Sequence, residues 1–203
     1  MAQKDISQIR IVGGHPALDF VNTVDARRDR WGPDALASYQ DLLHWAERVR
    51  VVTAEEAVGL LRLAAVNVDA ADQAFQSAIA ARELIYRIFL AEAHDTLPGR
   101  EDVDCLTAFA ETAIAARSFT LGSEGYGWRW RPDDLSTISD RLVFSATELL
   151  VDRSRRAVRE CTGRNCGWLF LDQSKGGRRH WCSEAGCGTR ERVRRKRDAQ
   201  KAR

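Results

Sequence analysis

Four cysteines close together near the C-terminal end constrain the fold of this chain more than any other feature. They are spaced C-x4-C-x15-C-x4-C, so two loop-length pairs are separated by a hairpin-length spacer. Zinc prefers four such ligands in a tetrahedron, and four thiolates without an open position form a structural site. Two disulfides are the alternative, but they would require a secreted chain. The spacing predicts one structural Zn²⁺, bound by Cys161, Cys166, Cys182 and Cys187.

The charge of the chain is distributed as unevenly as its cysteines. Residues 1–152 carry 15 Lys and Arg against 24 Asp and Glu, a net charge of −9. Residues 153–203 carry 16 against 5, a net charge of +11. Such asymmetry indicates a polyanionic partner for the basic part. We therefore predict an acidic domain over residues 1–152 and a basic, zinc-binding domain over residues 153–203.

The acidic domain is predicted to be mainly helical, because apolar residues recur at helical spacing in five segments between residues 36 and 151. The period changes at residues 117–121 and 126–130, which flank a four-residue connection and predict a β-hairpin. Tyr126, Trp128 and Trp130 alternate along its second strand. We expect them to lie in the core, with the wall of a pocket as the alternative. The fold class is α+β, mainly α.

The cysteine-rich segment predicts a second, smaller hairpin, in which residues 168–171 pair with residues 178–181 across a turn. This hairpin would bring Cys166 and Cys182 together, while Ser183 caps the turn before the last cysteine. So few residues cannot form a sufficient core, and the metal replaces it. The pattern predicts a small zinc finger, either a zinc ribbon or a treble-clef-like arrangement.

The chain after the last cysteine predicts a basic helix with Thr189 as its N-cap, since the following residues are good helix formers with almost no apolar side chains. A helix fits the major groove of B-form DNA, where arginine reads guanine edges and other cations bind phosphates. A disordered basic tail with little sequence preference is the alternative. The candidate DNA contacts are Arg178, Arg179, Arg190, Arg192, Arg194, Arg195, Lys196 and Arg197.

A candidate pocket for a small-molecule effector lies near the start of the chain and is formed by His15, Asp19, Asn22 and Thr23. The alternative is that these residues cap turns and satisfy backbone groups. No nucleophile–base motif, phosphate loop or Gly-x-Ser-x-Gly pattern is present, so we expect no enzymatic activity. No signal peptide or long apolar stretch is found either, which predicts a cytoplasmic protein without a membrane partner.

Three segments of the basic domain resemble the CGNR zinc finger: residues 166–172 (CGWLFLD), 178–183 (RRHWCS) and 187–190 (CGTR). Residues 18–24 (LDFVNTV) are similar to the signature of the ABATE domain that precedes this finger. The resemblance spans nearly the whole chain and implies a bacterial, stress-related transcription regulator. The four cysteines match the zinc ligands of that family by position. This chain carries Thr189 where the family name implies asparagine.

Together these features predict a zinc-dependent transcription regulator that binds double-stranded DNA through its basic helix. Its N-terminal domain would sense a small-molecule effector or form a homodimer. Two alternatives remain open at this point. One is a zinc-stabilised module that binds RNA or a protein, and the other is an enzyme located in the N-terminal domain.

Overall fold

The computed structural model describes residues 6–29, 31–123, 125–131 and 134–201. Within these ranges the chain forms seven α-helices and two antiparallel, two-stranded sheets, so the α+β, mainly α class is confirmed. The helices are α1 (Pro16–Val21), α2 (Tyr39–Arg48), α3 (Ala54–Val66), α4 (Val68–Ala93), α5 (Arg100–Ala115), α6 (Thr137–Val151) and α7 (Thr189–Lys201). The strands are β1 (Arg117–Gly122), β2 (Gly125–Trp130), β3 (Val158–Glu160) and β4 (Leu169–Leu171).

Local sequence signals set where two of the helices begin. Ser38 Oγ accepts a hydrogen bond from the Asp41 amide at the start of α2. At the start of α3, Thr53 and Glu56 form a capping box, in which each side chain accepts a hydrogen bond from the other's backbone. Among the described residues, no helix is both long enough and apolar enough to cross a bilayer.

Two apolar cores share the 26-residue helix α4. The first lies among α2, α3, α4 and α6, and it contains the buried rings of Phe20 and Trp45, whose centroids are 5.3 Å apart. The second lies among α1, α4, α5 and α6. Leu169 and Leu171 of β4 belong to this second core together with Val21 of α1. The C-terminal segment is therefore packed directly against the helices.

The first hairpin pairs β1 with β2 in a register that places Arg117 opposite Trp130 and Gly122 opposite Gly125. Because the strands extend to these two glycines, the connection is shorter than the four residues that the sequence predicts. Residue 124 of that connection lies outside the described residues.

The aromatic face of this hairpin is exposed, so the expectation that it lies in the core is wrong for two of its three residues. Tyr126 and Trp128 are 74% and 59% exposed, and they contact Phe119 across the strands. Trp130 is half-buried against Phe144 of α6. These rings contact one another, and no further described element packs over the outer part of the hairpin.

The second hairpin differs from its sequence-based prediction in the identity of one strand. β4 pairs with β3, where Val158 lies opposite Leu171, and residues 178–181 form no strand. Asp172 turns the chain away after β4, since its carboxylate accepts hydrogen bonds from the amides of Ser174 and Arg179. The true partner strand has only three residues, which is too short for its alternation to be seen in the sequence.

Candidate metal centre and nucleic-acid interface

The four cysteines meet between the tip of the second hairpin and the turn before α7. Their Sγ atoms all lie within 4.8 Å of one another, and all four side chains are buried. The Sγ atom of Cys182 is 3.8 Å from that of Cys166 and 3.6 Å from that of Cys187. Tetrahedral zinc with bonds of about 2.3 Å places its sulfurs about 3.8 Å apart. The cluster therefore fits one structural zinc, as the spacing predicts.

The first ligand pair lies in a tight loop between β3 and β4. Cys161 follows β3, and the amide of Cys166 donates a hydrogen bond of 3.0 Å to the carbonyl oxygen of Gly163. A Cβ atom at Gly163 would lie 3.0 Å from the Sγ atom of Cys187 and 2.9 Å from its Cβ atom. Only glycine allows the backbone to approach the sulfur cluster this closely.

Of the second ligand pair, Cys187 lies in a π-helical turn, Glu184–Gly188, that continues directly into α7, and Cys182 lies just before this turn. Ser183 Oγ accepts a hydrogen bond of 3.2 Å from the amide of Gly186, so the predicted cap is confirmed. The expectation that Thr189 is an N-cap is wrong, because its hydroxyl donates to the carbonyl of Glu184 within the continuous helical segment. The cap is Ser183, six residues before Thr189.

The chemistry of the donor set also favours a bound dication. Hydrogen bonding with the sulfur of Cys161 lowers the pKa of Cys187 and raises the pKa of Cys166. Four thiolates this close together would repel one another. A zinc ion binds all four in the deprotonated form and removes this repulsion. Arg190 Nη2 donates to Cys187 Sγ at 3.1 Å and offsets part of the remaining negative charge.

The buried carboxylate of Glu191 attaches the base of helix α7 to the first ligand loop. Glu191 Oε1 accepts a hydrogen bond of 3.0 Å from the Arg164 amide in the first ligand loop, and its Oε2 atom accepts one of 2.7 Å from Arg194. Every side chain over residues 192–201 is exposed. The metal site and Glu191 therefore hold the first turn of α7, and the rest projects into solvent.

The predicted DNA contacts other than Arg179 fall into two groups. Arg190, Arg192 and Arg194 bind the protein itself, through Cys187, Glu184 and Glu191 respectively. The second group makes no ion pair with any described residue and consists of Arg178, Arg195, Lys196 and Arg197. The cations of this second group have the greater capacity to bind an external anion.

Arg179 is half-buried, and its guanidinium is held by contacts within the protein. Its Nε atom donates to the Trp181 carbonyl at 2.9 Å, and Nη2 donates to the carbonyls of Val12, at 3.2 Å, and Cys182. Its guanidinium also lies 4.1 Å from the centroid of the Phe170 ring. These contacts join the second ligand pair to β4 and to the start of the chain.

Two family models match the chain. Residues 14–153 match the ABATE domain, described as "Putative stress-induced transcription regulator", and residues 157–200 match the CGNR zinc finger. The chain belongs to the ABATE family. No curated protein matches it. The CGNR match includes all four clustered cysteines, so the resemblance found in the sequence is confirmed.

The CGNR finger is held against the ABATE segment by buried hydrogen bonds. Asn22 Nδ2 donates to the Leu169 carbonyl at 2.8 Å, and Asn22 Oδ1 accepts from the Leu169 amide at 2.9 Å. Trp168 Nε1 donates to the Val24 carbonyl at 2.7 Å. Asn22 thus satisfies both backbone groups of a residue in β4, which is the alternative role that the sequence left open.

No pattern in the sequence indicates the structural role of Arg82. This ABATE residue is 1% exposed, and its guanidinium donates to both Asp34 oxygens at 2.8 and 2.6 Å and to the Thr23 hydroxyl at 2.9 Å. Tyr86, one turn later, donates to the Gly167 carbonyl of the finger at 3.0 Å. These pairs join distant parts of the chain, so no local pattern indicates them.

His15 and Asp19 line a cavity of about 710 Å³, whereas Asn22 and Thr23 do not. Asp19 Oδ1 accepts hydrogen bonds from the amides of Val12 and Gly13, at 2.9 and 2.7 Å. Burial raises the pKa of Asp19 to about 6 and lowers the pKa of His15, which favours the neutral imidazole. The structure therefore brings together two of the four residues of the predicted pocket.

Proposed function

We propose that this zinc-finger member of the ABATE family is a cytoplasmic transcription regulator that binds double-stranded DNA through α7. The observation that carries the proposal is the exposed end of that helix. Arg195, Lys196 and Arg197 make no ion pair with a described residue, while Glu191 and the zinc site fix the base of the helix. An α-helix fits the major groove of DNA, and fixing the first turn of α7 would hold its cationic side chains in a defined orientation there.

The charge distribution of the whole chain also supports DNA binding through the finger and α7. Dense like charges destabilise α7 in isolation, and phosphate groups relieve this repulsion. Residues 1–152 carry a net charge of −9, so DNA is repelled from the helical body and attracted to the finger. We therefore assign DNA binding to residues 153–203 and the sensing of an effector, or homodimer formation, to residues 1–152.

The RNA alternative finds less support in the structure. Trp168, which could stack on an unpaired base, is 1% exposed and donates its indole N–H to the Val24 carbonyl. Trp181 is half-buried against the cysteine cluster. Both rings serve the small core of the finger, and base stacking needs an accessible face.

The test measures binding of the zinc-loaded full chain to duplex DNA by fluorescence anisotropy over a range of salt concentrations. With about six phosphates engaged, the log–log slope of affinity against salt should be near −5. A variant carrying Arg195→Gln, Lys196→Gln and Arg197→Gln should bind at least about tenfold more weakly, with a slope smaller by about 3.

The matched control removes three exposed arginines from the body, through Arg62→Gln, Arg100→Gln and Arg129→Gln. The net charge changes equally, but the affinity should fall by much less than in the α7 variant. Equal losses in the two triple variants, or an affinity that does not depend on salt, would contradict DNA binding by α7. Stronger competition by single-stranded RNA than by duplex DNA would favour the RNA alternative instead.

A further inference from the structure

The 710 Å³ cavity lies where three parts of the chain meet. One wall comes from the segment around α1, including His15 and Asp19, and a second comes from the end of α2, including Arg50. Gln173 and Arg179, which follow β4, form the third. A molecule in this space would contact the ABATE segment and the CGNR finger at the same time. Its volume is in the range of small-molecule sites.

The charged lining of the cavity is predominantly cationic, with three arginines and one carboxylate. Asp19 already accepts two backbone hydrogen bonds, and Arg48 Nη1 donates to the Ile6 carbonyl at 2.7 Å. The guanidinium of Arg50 is exposed and makes no ion pair or hydrogen bond with a described residue. Arg50 therefore offers a full set of donors to a ligand.

The backbone at Arg50 gives no reason for an arginine at this position. Its φ angle of 62° lies in the left-handed region, just after the end of α2, where glycine or asparagine is usual. A long cationic side chain there is not favoured by local conformation. Its position on the cavity supplies the missing reason, because a guanidinium binds carboxylate and phosphate oxygens in pairs.

The cavity also has an apolar part, formed by Val12, Pro16 and Val49. We propose that this cavity binds a small organic oxyanion, with Arg50 and Arg48 on its charged group and these three residues along its apolar part. The proposal rests on the effector-sensing part of the proposed function and gives the effector a chemical class. A carboxylate and a phosphate ester share the chemistry that these arginines recognise.

Arg179 connects this cavity to the metal centre. Its Nη2 atom donates both to Val12, in the cavity wall, and to the carbonyl of Cys182, a metal ligand. An anion beside this guanidinium attracts it and weakens its bonds to those carbonyls. Occupancy of the cavity therefore changes the contacts of the turn that carries α7. This is the route by which an effector alters DNA binding.

The test is calorimetric titration of the zinc-loaded full chain with inorganic phosphate, acetate and hexanoate at constant ionic strength. We expect saturable binding with one site per chain, and hexanoate should bind more tightly than acetate because of the apolar wall. Tighter binding of phosphate than of hexanoate assigns a phosphate ester, and the reverse order assigns a carboxylate. Arg50→Asn should weaken binding about tenfold, because charge-assisted hydrogen bonds are lost.

Asparagine suits the left-handed backbone at this position, so the variant should fold, and Arg50→Lys should retain part of the affinity. Arg100→Gln, which removes an exposed arginine at the start of α5, is the matched control and should leave binding unchanged. Absence of saturable binding by all three probes, or equal binding by Arg50→Asn and the unaltered protein, overturns the site.

The coupling is measured without DNA, by hydrogen exchange at residues 178–188 with and without the bound probe. At a probe concentration that half-saturates the unaltered protein, exchange should change clearly there and much less in Arg50→Asn. Unchanged exchange at full occupancy overturns the regulatory role of Arg179. Neither measurement involves DNA, so an absence of anion binding leaves the DNA proposal intact. An absence of DNA binding equally leaves the cavity proposal intact.

Discussion

The two hairpins of this protein have opposite relations to its cores. β1 and β2 are six residues long and rich in aromatic side chains, yet Tyr126 is 74% exposed. β3 and β4 are three residues long, and Phe170 is fully buried. The short hairpin lies between the helical core and the cysteine cluster, whereas the long hairpin has one face uncovered. Burial depends on a second layer, and aromatic content alone does not provide one.

Removing the metal tests this contrast most strongly. Cys166→Ser should abolish zinc binding and unfold the finger around residues 161–167 and 178–201, measured by metal analysis and hydrogen exchange. Structural zinc contributes about 10–16 kcal/mol in small fingers, more than such a segment can otherwise supply. Cys105→Ser, at an exposed cysteine of α5, is the control and should keep both zinc and protection. A finger that stays protected after zinc loss would contradict the account.

Equivalent truncations in the two hairpins should have very different costs. Phe170→Ala should lower the free energy of unfolding by about 3–5 kcal/mol, because it leaves a cavity between β4 and the metal centre. Phe119→Ala, in the exposed face of β1, should change it by no more than about 0.5 kcal/mol. Chemical denaturation measures both values. Similar costs would show that the aromatic face of the long hairpin is covered in solution.

The attachment of β4 to the ABATE segment should depend on the amide side chain of Asn22. Asn22→Ala leaves the buried N–H and C=O groups of Leu169 without partners and should cost about 3–4 kcal/mol. Asn67→Ala removes an exposed amide that donates only to the Leu63 carbonyl, and it should cost below about 1 kcal/mol. Comparable thermal denaturation of the two variants would show that Asn22 is not the anchor.

The smallest expected effect is a pH dependence at the third contact of β4. The Leu171 amide donates to the Gly13 carbonyl, and Asp19 holds that segment in place. Burial raises the pKa of Asp19 to about 6 from 3.8, so the folded state binds the proton more tightly than the unfolded state. Stability from this group is present below about pH 4 and is lost as pH rises through about 6, and about 2 kcal/mol of it is lost between pH 4 and pH 6.

Asp19→Asn carries no titrating proton at this position and should lack this contribution. The difference in free energy of unfolding between the original protein and the variant should therefore decline across the same pH range. A constant difference between pH 4 and pH 6 would show that the Asp19 carboxyl titrates normally. Guanidinium denaturation in matched buffers provides the comparison.

The sequence correctly predicts the features that depend on residues close together in the chain. Helical spacing predicts the main helices, and the cysteine spacing predicts the four metal ligands, because each depends on residues close in the chain. The strand partner of β4 is predicted incorrectly, since β3 has three residues and no alternation to detect. The burial of Arg82 and the exposure of Trp128 depend on packing between distant segments, which one sequence does not reveal.

Any tilt of α7 would pivot about the buried carboxylate of Glu191, which holds its first turn. Ten residues of helix beyond it extend about 15 Å, at about 1.5 Å per residue. A tilt of about 10° at this point therefore displaces the far end by roughly 3 Å, close to the separation of successive nucleotides along one strand of duplex DNA. On the DNA that we propose α7 binds, a tilt of this size would move the tip of the helix by about one nucleotide step.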